Sequence, residues 1–427
     1  MGNDVYGALR DGFTDPIRDV LWGHIYLTPA LAALTRSAPF MRLYRIFQLG
    51  SAYAVYPGAT HTRAAHSIGV YYLARRLLLY LAERGADAWL SPIGSRSFLC
   101  AALLHDLGHF PYAHSLKELP LQSHEELTGR VILSEPIKAL VADAGADPYF
   151  TAAIVDTRLP GQQEKELLFY RKLLSGTLDP DKLDYLNRDA RYCGVPYGAQ
   201  DVDFILSRLY PHLERGIDID SRGTLSVESV LFSKYLMYRS VYWHRAVRSA
   251  TAMIKKALLA GLRDGVIVKE ELYNLDDQGL FSLMAGRSHP LFPLAGQVRN
   301  GRFFTVLAEF PFDKAVYGGL EDIQNRFRYE EALGAELSHA LGTRILPEEL
   351  IIDLPEPVSF ETGFFIVDEN RYFPESSGVF TEEAVEGLVK SLRIVRIFVD
   401  PRHENKLKSY AGLQEILHIQ KKWLHLI

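Results

Sequence analysis

The sequence contains few cysteines and no surplus of positive charge. Cys100 and Cys193 are its two cysteines, too few for a disulfide scaffold or a cysteine-based zinc site and in keeping with a reducing cytoplasm. The formal net charge of −5 argues against a general nucleic-acid-binding surface, which would be markedly basic. It does not exclude a local basic pocket for a phosphorylated small molecule.

Signals for membrane insertion or export are equally scarce. No apolar stretch of the sequence reaches the roughly 20 residues that a membrane helix needs. The first residues lack a basic segment followed by an apolar run, and Tyr6 stands where a myristoylation signal requires serine or threonine. We therefore expect a cytoplasmic protein that does not attach to a membrane.

The pattern of apolar residues predicts a mainly α protein. The 427 residues are 48% hydrophobic, enough to bury a large core, and two structural units are expected at this length. From about residue 15 to 262 the apolar spacing is helical, whereas the later part mixes helices with strands. We predict a helical portion over 1–262 and a smaller α+β portion over 263–427. The strands are predicted at 302–307, 358–362, 363–367 and 394–399, and a closing helix at 413–423.

The adjacent pair His105-Asp106 follows an apolar helix and offers one nitrogen and one oxygen to the same small volume. With one more histidine and one more aspartate from other helices, it forms a divalent-metal site of mixed character. His66 lies one turn before Val70 on the buried stripe of a predicted helix. Packing alone rarely collects such groups, because buried charges are costly unless paired or bound to metal.

The segment 179–189 predicts a helix start that carries more of this chemistry. Asp179 followed by Pro180 is typical of a helix N-terminus, and Asp181, Tyr185 and Asp189 then share one helix face. Asp181 is the expected fourth metal ligand, with Asp184 as its rival. A predicted capping box over 123–126 places His124 in the first turn of another helix.

Taken together, these segments resemble a known family. His66, His105-Asp106 and Asp181 match the HD-domain metal-dependent phosphohydrolases, and most closely the branch that contains deoxynucleoside triphosphate triphosphohydrolases. The resemblance covers roughly residues 10–260, so the helical portion is expected to be an HD-domain core. The segments that carry it are 15–17, 45–50, 55–69, 105–114 and 179–189.

The resemblance implies roles for individual residues. The metal ligands would be His66, His105, Asp106 and Asp181, which accommodate manganese, iron, magnesium or zinc; alignment favours Asp181 over Asp184. The catalytic set would be His109, His114 and His124, with Glu125 orienting His124. The substrate-binding residues would be Gln48, Leu49, Arg63, Lys182, Tyr185, Asp189 and Tyr242.

Elementary chemistry agrees with these roles. Arg63 and Lys182 supply positive charge for phosphate oxygens, and a histidine that titrates near neutral pH can give a proton to a departing alkoxide. Tyr185 and Asp189 could bond a sugar 3′-hydroxyl, and Leu49 would leave no partner for a 2′-hydroxyl. The structural alternatives are a helix-end role for His109 and core packing for Leu49 or Tyr242.

The implied function is hydrolysis of deoxynucleoside triphosphates to deoxynucleoside and triphosphate, by attack of metal-activated water on the α-phosphorus. The resemblance also implies a homo-oligomer. Lys234 and Tyr238 stand where the branch carries an arginine and a histidine near the phosphates. Tyr44 and Thr14 replace an arginine and an asparagine of the nucleotide-activated members, which argues against the same activation.

Two other functions fit the sequence. One keeps the metal site and changes the substrate, giving a phosphodiesterase or phosphatase for nucleoside monophosphates, cyclic nucleotides or guanosine alarmones. The other is a nucleotide-sensing scaffold without turnover, in which the C-terminal portion binds a protein or nucleic acid.

Overall fold

The computed structural model describes residues 4–161 and 165–417. Two segments with predictions lie outside the described residues. They are residues 1–3, at the start of the segment predicted to lack a targeting signal, and residues 418–423, the end of the predicted closing helix. No helix in the described ranges combines the length and apolar character needed to cross a bilayer.

Helices make up most of the first 263 residues. They are α1 (Val5–Arg10), α2 (Pro29–Arg36), α3 (Ala38–Leu43), α4 (Arg63–Ala82), α5 (Pro92–Leu104), α6 (His124–Ile132), α7 (Ile137–Asp143), α8 (Pro148–Val155), α9 (Lys165–Leu174), α10 (Pro180–Cys193), α11 (Val202–Ser207), α12 (Thr224–Met237) and α13 (Arg245–Arg263). Two short hairpins interrupt them: β1 (Asp15–Asp19) with β2 (Gly23–Leu27), and β3 (Leu209–His212) with β4 (Gly216–Ile219).

The later part of the chain mixes helices and strands. Its helices are α14 (Lys269–Leu272), α15 (Asp277–Ala285), α16 (Pro293–Arg299), α17 (Lys314–Tyr317), α18 (Ile323–Leu341), α19 (Phe373–Ser376), α20 (Glu382–Leu392), α21 (Pro401–Lys408) and α22 (Leu413–Leu417). Its strands are β5 (Thr305–Pro311), β6 (Leu350–Asp353), β7 (Phe365–Ile366), β8 (Arg371–Tyr372) and β9 (Ile394–Val399). The predicted fold class, a helical core followed by a smaller α+β part, is confirmed.

Two sheets organise the strands of this later part. Strand β9 is central, with β5 and β6 antiparallel on either side of it. In the other sheet, β7 pairs in parallel with β4 through Ile219 and Ile366. The second sheet therefore joins the later part of the chain directly to the helical part.

Several predicted helix ends are correct. The buried stripe predicted at Val70 of α4 is confirmed, although the Thr62 cap of that helix was not predicted. Asp179 caps α10 by accepting a hydrogen bond from the Lys182 amide at 2.6 Å, with Pro180 in the first turn. The Ser123 hydroxyl accepts from the Glu126 amide at 3.2 Å, but the Glu126 carboxylate accepts from Arg130 and Arg158, so the capping box is only half formed.

Strand predictions were less accurate. Strand 394–399 is confirmed, but 302–307 is shifted to Thr305–Pro311 and 363–367 shrinks to Phe365–Ile366. The segment 358–362 forms no strand. Its alternating apolar side chains, Val358 and Phe360, are buried against the helical core without a ladder partner. Strand β6 was missed because its four residues are all buried, so no alternation marks it.

The hairpin β1–β2 also contradicts the helical prediction for this stretch. Its five paired positions run from Asp15 opposite Leu27 to Asp19 opposite Gly23. Gly23 has a φ of +73°, a conformation that favours glycine and ends helical continuity. Alternating burial of Ile25 and Leu27 is the period-2 signal that the helical interpretation overlooked.

A buried ionic network joins this hairpin to α10 and α4. Arg188 is fully buried and donates hydrogen bonds to Asp184 at 2.7 and 2.9 Å and to Asp19 of β1 at 2.9 Å. Asp184 also accepts from the Trp22 indole at 2.6 Å and from His66 of α4 at 2.8 Å. One carboxylate thus links three elements around the helical core.

Replacing Arg188 with alanine should therefore destabilise the protein strongly. The change leaves two buried carboxylates short of a cation, and the free energy of unfolding should fall by about 3–5 kcal/mol. The measurement is equilibrium denaturation by urea. Arg10→Ala is the matched control, because the Arg10–Glu83 pair is exposed and its loss should change the value by less than about 0.5 kcal/mol. Equal effects would refute the role given to the network.

Candidate active site

Three predicted metal ligands converge where α4, α5 and α10 meet. His66 lies in the first turn of α4, His105 directly follows α5, and Asp181 lies in the first turn of α10. One ligand atom from each lies within 4.8 Å of the other two. The Asp181 Oδ1 atom is 2.9 Å from His66 Nε2 and 3.9 Å from His105 Nε2.

The hydrogen bonds of the two histidines leave the same ring nitrogen free. His105 Nδ1 donates to the carbonyl of Ala102 at 2.9 Å, and His66 Nδ1 donates to Asp184 Oδ2 at 2.8 Å. Both Nε2 atoms therefore face the cluster: His66 Nε2 contacts Asp181, and His105 Nε2 is buried without a hydrogen-bond partner. Such outer partners are typical of metal-binding histidines. The donor set fits a divalent cation.

Asp106 borders this cluster. Its Oδ1 atom lies 3.4 Å from His105 Nε2 and 3.0 Å from His109 Nε2, while its Oδ2 atom accepts from Arg63 at 2.8 Å. Burial alone would raise the pKa of Asp106, but His109, His105 and Arg63 lower it well below its usual range. The carboxylate is therefore ionised, as a metal ligand must be.

The electrostatics around His66 also suit a cation. Burial alone would lower the pKa of this imidazole, but its bonds to Asp181 and Asp184 raise the pKa to about 10. Two ionised carboxylates thus flank one ring. Asp184 lies on the Nδ1 side of that ring and is saturated by Trp22 and Arg188, which favours Asp181 as the ligand and gives Asp184 the supporting role.

His109, His114 and His124 form a second histidine cluster. Their ring centroids lie 3.9–4.8 Å apart, and the rings of His109 and His124 stack at an angle of 24°. Imidazole lone pairs lie in the ring plane, so two nearly parallel rings cannot both aim at one ion. The arrangement suits proton transfer better than metal binding.

Burial keeps His109 and His124 neutral. It lowers the pKa of His109 well below its usual range, and it lowers the pKa of His124 to about 4 despite the attraction of Glu125. The Glu125 carboxylate lies 3.2 Å from His124 Nε2, as the predicted orienting role requires. An anionic ligand beside His124 would raise its pKa again.

The loop between α5 and α6 is fixed by its backbone contacts. The Thr128 hydroxyl donates to the His105 carbonyl at 2.9 Å and accepts from the Gly108 amide at 2.8 Å. A Cβ at Gly108 would collide with the backbone of α6, so this position requires glycine. Arg42 donates to the carbonyls of Leu107 and His109, each at 2.6 Å, and holds the loop from the other side.

A cleft of about 430 Å³ opens beside the metal cluster. It brings together all seven predicted substrate residues, the four predicted metal ligands, His114 and His124. His109 lies buried behind Asp106, and Glu125 lies behind His124, so neither is among the residues that line the cleft. The predicted site residues that line the cleft are Gln48, Leu49, Arg63, His66, His105, Asp106, His114, His124, Asp181, Lys182, Tyr185, Asp189 and Tyr242.

At one end of the cleft, Asp189 is held by two donors. His61 Nε2 lies 2.8 Å from Asp189 Oδ1, and the Tyr242 hydroxyl donates to Oδ2 at 2.7 Å. His61 is buried and stacks on Tyr192 at 4.6 Å. Sequence reasoning missed His61, although its place just before the cap of α4 brings it near the cluster. The pair fixes a carboxylate that can accept a bond from a ligand hydroxyl.

Gln48 and Leu49 line the wall next to this carboxylate. The backbone N–H of Gln48 donates to the backbone carbonyl of His61 at 3.0 Å, which holds the two residues together. The Gln48 Oε1 atom is buried without a partner, and such an atom is costly unless a ligand or water satisfies it. Leu49 adds apolar surface and packs partly against the core.

Two lysines, of which Lys182 lines the cleft, lie under a loop that sequence reasoning did not connect to the site. Lys182 donates to Gly176 O at 2.7 Å and to Asp179 Oδ2 at 2.8 Å. Lys234 donates to Ser359 O at 2.7 Å and to Glu361 at 3.2 Å. The C-terminal portion therefore forms one wall of the cleft, through the segment 354–364, which has no regular structure.

Comparison with known families agrees with this geometry. Residues 63–144 match the model of the HD domain, and residues 205–375 match the model of an HD associated region. The first match contains the metal cluster apart from Asp181, and the second contains Lys234, Tyr242 and the loop that covers the lysines.

Individual relatives extend the comparison. The chain is 38% identical over 221 residues to the uncharacterised protein YwfO of Bacillus subtilis, covering 51% of this chain and 49% of that one. It is 28% identical over 277 residues to the human deoxynucleoside triphosphate triphosphohydrolase SAMHD1, covering 57% and 44%. The corresponding bovine enzyme is 31% identical over 278 residues, covering 57% and 47%. The chain thus spans about half the length of these curated relatives.

Among solved structures, a hypothetical protein of Aquifex aeolicus superposes with a TM-score of 0.68 and 26% identity, over 92% of this chain and 98% of that one. A phosphohydrolase of Bacteroides thetaiotaomicron superposes with a TM-score of 0.69 and 24% identity, over 90% and 99%; this second likeness concerns the fold alone. The match over residues 63–144 identifies an HD domain in this chain. The chain is similar to the branch of HD-domain proteins that contains the deoxynucleoside triphosphate triphosphohydrolases.

Removing the Asp181 carboxylate should weaken metal binding. Asp181→Ala deletes the oxygen nearest both histidine Nε2 atoms, so we expect affinity for Mn²⁺ to fall at least about tenfold. Calorimetric titration of the metal-free protein measures the change. Asp203→Ala, which removes an exposed aspartate paired with Arg76, should leave the affinity unchanged. Unaltered metal affinity in Asp181→Ala would show that α10 does not contribute a ligand to the metal site.

Proposed function

We propose that the protein is a metal-dependent phosphohydrolase that converts deoxynucleoside triphosphates to deoxynucleoside and triphosphate. One observation carries the proposal. The His66–His105–Asp181 cluster, the hydroxyl acceptor Asp189 and the ammonium-bearing Lys182 all line one cleft, and Lys234 is joined to Lys182 through the Glu361 carboxylate that both contact. A nucleotide laid along this cleft would have its α-phosphate beside the cluster. The identity to triphosphohydrolases of this branch supports the choice of substrate.

The metal cluster and Arg63 would have separate chemical roles. A divalent ion held by His66, His105, Asp106 and Asp181 would polarise a phosphoryl oxygen and acidify a water molecule. Arg63 is buried beside Asp106, and its Nε atom has no partner, so it can add positive charge next to a phosphate oxygen. Its fixed charge stabilises the negative charge that develops there.

Proton transfer to the leaving 5′-oxygen falls to the histidine cluster. His124 lines the cleft, whereas His109 stacks behind it. A bound polyphosphate raises the pKa of His124 from its low value because the imidazolium then faces an anion. The proton gained in this way is available to the departing oxygen, and Glu125 keeps the ring in position.

The opposite end of the cleft favours a deoxyribose. Asp189, fixed by His61 and Tyr242, can only accept a hydrogen bond, so it selects a ligand with a free hydroxyl such as the 3′-OH. Leu49 offers no partner for a 2′-hydroxyl, and a buried hydroxyl without a partner is costly.

A second candidate keeps the metal site and changes the substrate to another nucleotide, as a phosphodiesterase or phosphatase. Lys182 and Lys234 favour it, because each is already paired with a carboxylate and so has less charge to offer a triphosphate. The proposal also includes a homo-oligomer, as the triphosphohydrolase resemblance implies, and a cytoplasmic location, consistent with Cys100 and Cys193 being free.

Turnover decides between these functions. The protein should release deoxynucleoside and intact triphosphate from a dNTP with Mn²⁺, Mg²⁺ or Fe²⁺, as resolved by ion-pair chromatography. The double change His105→Ala, Asp106→Ala should lower the rate at least about a hundredfold, because it removes two ligands. His339→Ala, an exposed histidine on α18, is the control. Orthophosphate as product would favour the second candidate, and binding without turnover would favour a sensor.

The contact between His61 and Asp189 should govern sugar recognition. His61→Leu removes one of the two donors that hold the carboxylate, so kcat/KM for a 2′-deoxynucleotide should fall about tenfold. A 2′,3′-dideoxynucleotide lacks the hydroxyl and should be affected little. His61→Asn keeps an N–H donor and should restore part of the activity. A uniform loss on both substrates would instead indicate a general structural role.

A further inference from the structure

The loop 354–364 brings a carboxylate into contact with Lys182, which lines the cleft, and with Lys234. Glu361 Oε2 lies 3.2 Å from Lys234 Nζ and 3.9 Å from Lys182 Nζ. The Ser359 hydroxyl donates to Glu361 Oε1 at 2.8 Å, and the Thr177 hydroxyl donates to the Glu361 carbonyl at 2.7 Å. Both the side chain and the backbone of Glu361 are therefore anchored over the lysines.

The charges at this end of the cleft cancel. Lys182 and Lys234 carry two positive charges, and Asp179 and Glu361 carry two negative ones. Asp179 is committed to the helix cap, since it accepts from the Lys182 amide. Glu361, in contrast, does not cap α10, and its side chain is 38% exposed. It occupies the place that a phosphate oxygen would take between two ammonium groups.

We propose that Glu361 determines specificity for phosphate number, by competing with the distal phosphates of the substrate for Lys182 and Lys234. The proposal rests on the function proposed above. In this proposal a monophosphate held at the metal cluster does not extend to Lys234 and Glu361, neither of which is among the residues that line the cleft, so Glu361 does not oppose it. A triphosphate extends to the lysines and must displace the carboxylate.

This competition predicts an effect that depends on the number of phosphates in the substrate. Hydrolysis at the α-phosphorus breaks the same bond to O5′ in a mono-, di- or triphosphate. In each case the water oxygen takes the place of O5′ on phosphorus, the deoxynucleoside leaves with a proton on O5′, and phosphate, diphosphate or triphosphate is the second product. Only contacts beyond the α-phosphate differ. Removing the Glu361 charge should therefore improve KM for the triphosphate and leave kcat nearly unchanged.

Glu361→Gln is the variant that tests it. The KM for a dNTP should fall about tenfold, because one opposing charge a few ångströms away is lost in a partly screened site. The KM for the matching dNMP should stay within about twofold. Glu361→Asp keeps the charge on a shorter side chain and should lie between Gln and the parent. Glu369→Gln, which removes a remote carboxylate bonded to Arg371, should change neither value.

Binding of inorganic tripolyphosphate separates this proposal from the proposed function. Calorimetry of the full chain should show about tenfold tighter binding in Glu361→Gln than in the parent, and little gain for orthophosphate. This result would support the role of Glu361 even if no nucleotide were turned over. Equal affinity for tripolyphosphate in both proteins, or an equal gain for orthophosphate, would overturn it even if dNTP hydrolysis were established.

Discussion

The carboxylate of Asp184 is the interaction on which the rest of the site depends. It is fully buried and accepts hydrogen bonds from Trp22 after β1, His66 in α4 and Arg188 in its own helix. Burial would raise its pKa, but Arg188 and His66 keep the pKa well below its usual range. A charged group in this position tolerates no loose packing, because each lost partner leaves an ion in a medium that solvates it poorly. The helices that carry the metal ligands are therefore fixed relative to one another before any ligand arrives.

Two histidine groups share the space next to this network and differ in ring geometry. His66 and His105 are nearly perpendicular, at 78°, and each has its Nδ1 occupied, so their Nε2 atoms converge. His109 and His124 are nearly parallel, so their nitrogens do not converge. The same residue type thus forms a convergent pair of nitrogen donors in one place and a stacked pair a few ångströms away. The two groups differ in the backbone that carries them. The histidines of the metal cluster lie at a helix start and a helix end, whereas the stacked pair is held at the tight loop around Gly108.

The sequence allowed most of the metal cluster and the helical fold to be predicted, for a physical reason. His66 lies on the apolar stripe of a helix, His105 follows an apolar helix, and Asp181 lies at a helix start that Asp179 and Pro180 mark. The hairpin at 15–27 and the buried strand at 350–353 were missed, since five-residue and four-residue strands carry little periodic pattern. The contacts of His61 and Glu361 could not be predicted at all. Each reaches a partner more than a hundred residues away, and no local pattern records such a distance.

The loop that carries Glu361 also sets a concentration threshold. A carboxylate tethered next to its partner competes as if present at a high local concentration, of the order of millimolar for a flexible tether. Free anions in a cell, including phosphate, diphosphate and the backbones of nucleic acids, must exceed that level to occupy the lysines through charge alone. On the proposed function, a nucleotide would escape the limit because its sugar and α-phosphate would bind elsewhere in the cleft and make the exchange at the lysines intramolecular. An acidic side chain inside a phosphate pocket thereby acts as a filter against abundant polyanions.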